Sequence, residues 1–73
     1  MKAYINDEGC IMAVFKDRIG LYHVYYRKTA KDDFRQAGSD SVTKSTREEA
    51  EEAMKQIAIR SNKWRWHEID FKG

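Results

Sequence analysis

Leu21-Tyr22-His23-Val24-Tyr25-Tyr26-Arg27 has large side chains at every position of an expected strand. Valine and tyrosine favour strands, and successive strand side chains point to opposite faces. Both alternate sets here are large: Tyr22, Val24 and Tyr26 on one side, His23, Tyr25 and Arg27 on the other. A sheet built around this strand can bury one set. The other set, aromatic and basic, is left over.

Working outward, Asp17-Arg18-Ile19-Gly20 precedes the strand, and Asn6-Asp7-Glu8-Gly9 has the same shape. Each is a polar turn closed by glycine and fits a type I turn with the glycine at positive φ. The two turns separate strands at about Lys2 to Ile5, Cys10 to Lys16 and Leu21 to Lys28, which form a meander. With a four-residue second loop, Phe15 faces Tyr22, Ala13 faces Val24 and Ile11 faces Tyr26. Those six form the face placed against the helix. Met12, Val14, Lys16, His23, Tyr25 and Arg27 form the other face. A shift of one residue in the loop re-pairs the sets, since parity decides the face. Phe34-Arg35-Gln36-Ala37 reads as a short fourth strand, with Ala37-Gly38-Ser39-Asp40 as its exit.

One helix is expected from Thr46 to about Ser61. Ser45-x-x-Glu48 and Thr46-x-x-Glu49 both fit a capping box. Ala50, Ala53, Met54, Ile57 and Ala58 follow at helical spacing, and no proline or glycine interrupts the run. Glu48, Glu49, Glu51 and Glu52 complement the helix dipole at its start, and Asn62 is a reasonable stop. Trp64 to Phe71 then reads as a last strand. Trp64 is expected to fold back under the helix, and Trp66 is left between core and surface. Arg65 and His67 share the second face, which Ile69 and Phe71 continue. The fold class is α+β: an antiparallel meander on one helix with a final strand joining the sheet, in the order β-β-β-(β)-α-β.

The 73 residues allow one domain without a deep catalytic cavity. Hydrophobic residues at 41% and charged residues at 36% suit a folded domain rather than a disordered one. Cys10 is the only cysteine, so no internal disulfide forms, and a reducing cytoplasmic compartment is the simplest inference. The longest apolar run, Cys10 to Phe15, is far short of a membrane span, and the start of the chain lacks signal-peptide character. The net charge is +2, a smaller excess than phosphate-directed binding usually shows. Its distribution is uneven: eight basic residues against four acidic ones lie between Lys16 and Arg47.

No catalytic constellation stands out. Cys10, His23 and His67 do not have the spacing or number of a zinc site. Cys10 reads as a small buried residue, Asp7-Glu8 and Asp32-Asp33 as solvated loop carboxylates, and no glycine-rich phosphate loop occurs. The expectation is a non-enzymatic chain without metal or cofactor. Its leftover groups are His23, Tyr25, Arg27, Lys28, Arg65, Trp66 and His67, and Trp, Tyr and Arg dominate protein-interface hot spots. The expected function is therefore stoichiometric binding to a protein or ribonucleoprotein partner as an inhibitor or regulator. By analogy of size, this extends to inhibitors that phages and mobile elements direct at host defence such as CRISPR machinery. The alternative is direct nucleic-acid binding through the aromatic and basic sheet face. An edge strand also offers pairing with a second copy of the chain.

Overall fold

The computed structural model describes residues 1–36, 43–61 and 65–72. Among the described residues, five strands and one helix follow the expected order: β1 (Lys2–Ile5), β2 (Ile11–Lys16), β3 (Tyr22–Arg27), β4 (Arg35–Gln36), α1 (Arg47–Arg60) and β5 (His67–Asp70). They form one antiparallel sheet in the order β4-β3-β2-β1-β5, so the last strand returns to pair with the first. The expectations for Trp64, Asn62 and the Ala37–Asp40 exit lie outside the described residues.

The two Asx-Gly turns are built alike. Asn6 Oδ1 accepts the amides of Glu8 and Cys10, and Asp17 Oδ1 accepts those of Ile19 and Leu21, all at 2.9 Å. Gly9 and Gly20 take φ of +86° and +90°, where side chains are strained. In the second turn the Asp17 amide donates to the Leu21 carbonyl at 2.7 Å, so Asp17 and Leu21 face each other. Only Arg18, Ile19 and Gly20 remain between them, a three-residue loop closed by a left-handed glycine.

That loop corrects the expected register. The pairs are Lys16 with Tyr22, Val14 with Val24 and Met12 with Tyr26, one residue away from the pairing of Ala13 with Val24. Met12 and Val14 therefore join Tyr22, Val24 and Tyr26 beneath the helix. Ile11, Ala13 and Phe15 move to the opposite face, beside His23, Tyr25 and Arg27.

The core lies between this corrected face and α1. Tyr4, Met12, Val14 and Val24 from the sheet meet Ala50, Met54 and Ala58 from the helix, with Tyr22, Tyr26, Ile57 and Trp66 packed around them. Of the two capping alternatives, Thr46 is the N-cap. Its hydroxyl oxygen accepts the Glu49 amide at 3.2 Å, while the Glu49 carboxylate accepts the Ser45 and Thr46 hydroxyls. Arg47 anchors the helix start to the sheet, donating to the Val14 carbonyl at 3.2 Å and lying over the Tyr22 ring. No helix among the described residues is long and apolar enough to cross a membrane.

Two substitutions test this account by urea denaturation. Met54 is fully buried, so Met54→Ala should cost about 2–5 kcal/mol. A Cβ at Gly20 would make only ordinary contact with the Lys16 side chain at 3.8 Å, but φ of +90° is rarely adopted by side-chain-bearing residues. Gly20→Ala should therefore cost about 1–2 kcal/mol. Near-neutral results would undo the helix placement and the turn geometry respectively.

Candidate functional site

The face away from the helix is not bare. At its centre Ala3 pairs with Ala13, and Ala13 with Tyr25. Both alanines are fully buried although no helix covers them. Aromatic rings from around the face close over them. Phe15 makes edge contacts with Tyr25 and Phe34 at centroid distances of 5.5 and 5.0 Å, and Phe34 meets Phe71 at 5.9 Å. Phe34 adjoins β4 and Phe71 follows β5, the two opposite edges of the sheet. Five flat strands would set those edges about 19 Å apart. The sheet therefore curls toward this face, and the small alanines at its centre leave room for the rings.

Arg27 completes the cluster. Its guanidinium carbon lies 4.8 Å from the Phe34 ring centre and 5.4 Å from that of Phe71, the geometry of a double cation–π contact. Its Nε is buried without a hydrogen-bond partner among the described residues. Phe15, Tyr25, Arg27, Phe34 and Phe71 line one shared concavity and are each half-buried. They present ring faces and a held cation to the outside.

His23 departs from the expectation of an exposed group. It is buried, and its ring joins three segments. Nε2 contacts the Asp17 carboxylate, while Nδ1 lies 3.1 Å from both Gln36 Nε2 and Thr43 Oγ1. Gln36 belongs to β4. Thr43 sits beside β3 because Lys44 pairs with Tyr22 through two backbone bonds of 2.8 and 2.9 Å. These polar partners explain how an imidazole tolerates burial. The arrangement ties the β2–β3 turn to the outer side of β3. The hydrogen bond from His23, followed by the Leu21 amide, holds the Asp17 carboxyl below the usual aspartate range.

The remaining expected residues scatter. Lys28 is exposed and lines a depression with Tyr26, Lys31 and Arg35, beside Asp32 and Asp33. His67 shares a face with Ile5, Ile11 and Arg27, but its exposed ring turns to Asp7 at 3.2 Å. Arg65 lies 4.0 Å from the same carboxylate. Trp66 sits on the helix side, against the core. Of the expected residues, Tyr25 and Arg27 join the aromatic cluster, with His23 edge-on to Tyr25 at 6.1 Å. Lys28 shares its depression with Arg27, and Arg65 and His67 meet separately at Asp7. Phe15, Phe34 and Phe71 were missed, and so was the role of Asp17. Phe71 was already on the correct face by parity, whereas Phe15 was displaced by the register error.

Cys10 is half-buried, and burial, then the nearby Glu8 carboxylate, push its thiol up, away from nucleophilic character. Among the described residues, no three His, Cys, Asp or Glu side chains gather to hold a metal ion. Compared with protein-family models, curated proteins and solved structures, the chain matches none.

The lowered Asp17 pKa gives stability a pH dependence of defined sign. The unfolded chain binds the proton more readily, so the Asp17 contribution is complete above the ordinary aspartate value of about 3.9 and is lost as pH falls through the lowered folded value. Asp17→Asn keeps a turn-forming oxygen, as Asn6 does in the first turn, but loses the carboxylate. Its deficit against the parent, read by denaturation, should shrink as pH falls below about 4. A deficit that does not change down to the acid limit of folding would contradict the Asp17–His23 link.

Proposed function

We propose that this is a non-enzymatic binding protein that acts stoichiometrically on a protein or ribonucleoprotein partner, as an inhibitor or regulator. The observation that carries this reading is the half-buried cluster of Phe15, Tyr25, Phe34 and Phe71 around Arg27. Aromatic residues and arginine are the types that dominate interface hot spots. The rings already hold one another in edge contact, so docking on them costs little further side-chain entropy. The near-balanced net charge also suits a protein surface. The reading extends, by analogy of size alone, to inhibitors that phages and mobile elements direct at host defence such as CRISPR machinery.

A second reading, direct nucleic-acid binding, is favoured by Lys28, Lys31 and Arg35 around Tyr26 at one end of the sheet. Asp32 and Asp33 in the same depression oppose it. Self-pairing through β5 is opposed by its own charges. A two-fold antiparallel pairing centred anywhere from Glu68 to Asp70 sets carboxylate against carboxylate.

The test uses the purified chain as bait in a host lysate, with captured proteins identified by mass spectrometry. Arg27→Ala and Phe34→Ala, checked for retained fold, should lose the captured partner. Capture that survives both would place binding elsewhere. Titration of a labelled single strand and a duplex at two salt concentrations decides the second reading. Phosphate-directed binding must weaken steeply with salt, and no binding at low salt removes it.

A further inference from the structure

The helix side of the sheet holds a feature that the aromatic cluster does not account for. Trp66 packs against the core, yet its indole N–H is buried and has no hydrogen-bond partner among the described residues. A buried indole N–H ordinarily finds an acceptor. Trp66 borders a groove of ≈ 450 Å³ with Tyr4, Lys55, Ala58, Ile59 and Arg65. Two irregularities meet there. Arg65 has φ of +53°, the only positive value on a non-glycine residue among those described, and such backbone gathers at binding sites. Ile59, on the last turns of α1, is 56% exposed.

The lining is one-sided in its chemistry. Tyr4, Ala58, Ile59 and Trp66 supply apolar surface. The charged groups in it, Lys55 and Arg65, are both cations. The Tyr4 hydroxyl turns to Glu68 at 3.5 Å. Among the described residues no carboxylate lines the groove, and the nearest acidic partner of Arg65 is Asp7, 4.0 Å from its Nε.

We infer that this groove docks an acidic, apolar segment of a partner protein. A carboxylate of that segment pairs with Arg65 or Lys55, and an apolar side chain covers Ile59 beside the Trp66 ring. Charge complementarity selects this occupant over a nucleic-acid strand. The adjoining depression shares Tyr4 and Lys55 and carries the carboxylates of Glu48, Glu51, Glu52 and Glu68. A continuous phosphate track would run into those four groups, whereas a single carboxylate stops at the two cations. The inference rests on the reading of the chain as a protein-binding protein, but it uses the opposite side of the sheet from the Arg27 cluster.

The experiment follows the Trp66 indole N–H resonance of the nitrogen-15-labelled protein, assigned by its loss in Trp66→Phe. Three probes are titrated: a short leucine-rich peptide with one central Asp, the same peptide with Asn for Asp, and oligo-dT. The acidic peptide should move the resonance and bind at least ~10-fold more tightly than the Asn peptide, as loss of a charge-assisted contact implies. Arg65→Gly keeps a residue suited to positive φ while removing the guanidinium, and should weaken the acidic peptide by a similar factor. No shift at millimolar peptide, an equal response to the Asn peptide, or a response to oligo-dT alone would each overturn the inference. Phe34→Ala separates the two surfaces. It should leave this titration unchanged, and if it abolishes it, the peptide docks on the Arg27 cluster instead.

Discussion

Asp17 sets the parity of the sheet. One carboxylate oxygen accepts the Ile19 and Leu21 amides, the other meets His23, and the backbone amide closes on Leu21. With Gly20 free to take positive φ, the loop between β2 and β3 is held at three residues. In a strand pair, a one-residue change in loop length moves every side chain to the other face. The placement of Met12 and Val14 under the helix, and of Phe15 beside Tyr25 and Arg27, follows from this turn.

From that parity the two sides of the sheet take different solutions. One side meets α1 and is packed by Val14, Val24 and Met54, the largest fully buried side chains. The other has no helix and covers itself. Ala3 and Ala13 at its centre are too small to fill the face, so the sheet curls and rings from both edges meet above them. Arg27 lies against two of those rings, and its charge is offset by ring faces rather than by a carboxylate. Among the described residues every aromatic side chain is thus at least partly buried, and an ordered, partly exposed cluster remains on the side away from α1.

Much of the fold was legible in the sequence because the signals were local. Gly9 and Gly20 marked both turns, β-branched and aromatic runs marked the strands, and Thr46 with Glu49 marked the helix start. The register was not legible, because three-residue and four-residue loops share the Asp-x-x-Gly pattern and only the closing pair distinguishes them. The burial of His23 was hidden for a different reason. Its partners Gln36 and Thr43 reach it through pairing at the outer side of β3, which no local pattern encodes. The meeting of Phe34 with Phe71 depends on sheet curvature, and the two buried alanines were its only trace in the sequence. Of the candidate site, Tyr25 and Arg27 were read correctly as neighbours. Trp66 falls on the helix side, while Arg65 and His67 turn to Asp7, a loop carboxylate that no local pattern pairs with them.

The turn at Asp17 sends Phe15 and Tyr25 away from the helix, into one cluster with Phe34 and Phe71. Proton–proton contacts in a nuclear Overhauser spectrum of the free protein measure this directly. The expected result is ring-to-ring contact between Phe34 and Phe71 and between Phe15 and Tyr25, with Met54 in contact with Val14 and Val24. Contacts from the Phe15 ring to Met54, with none between Phe34 and Phe71, would contradict it.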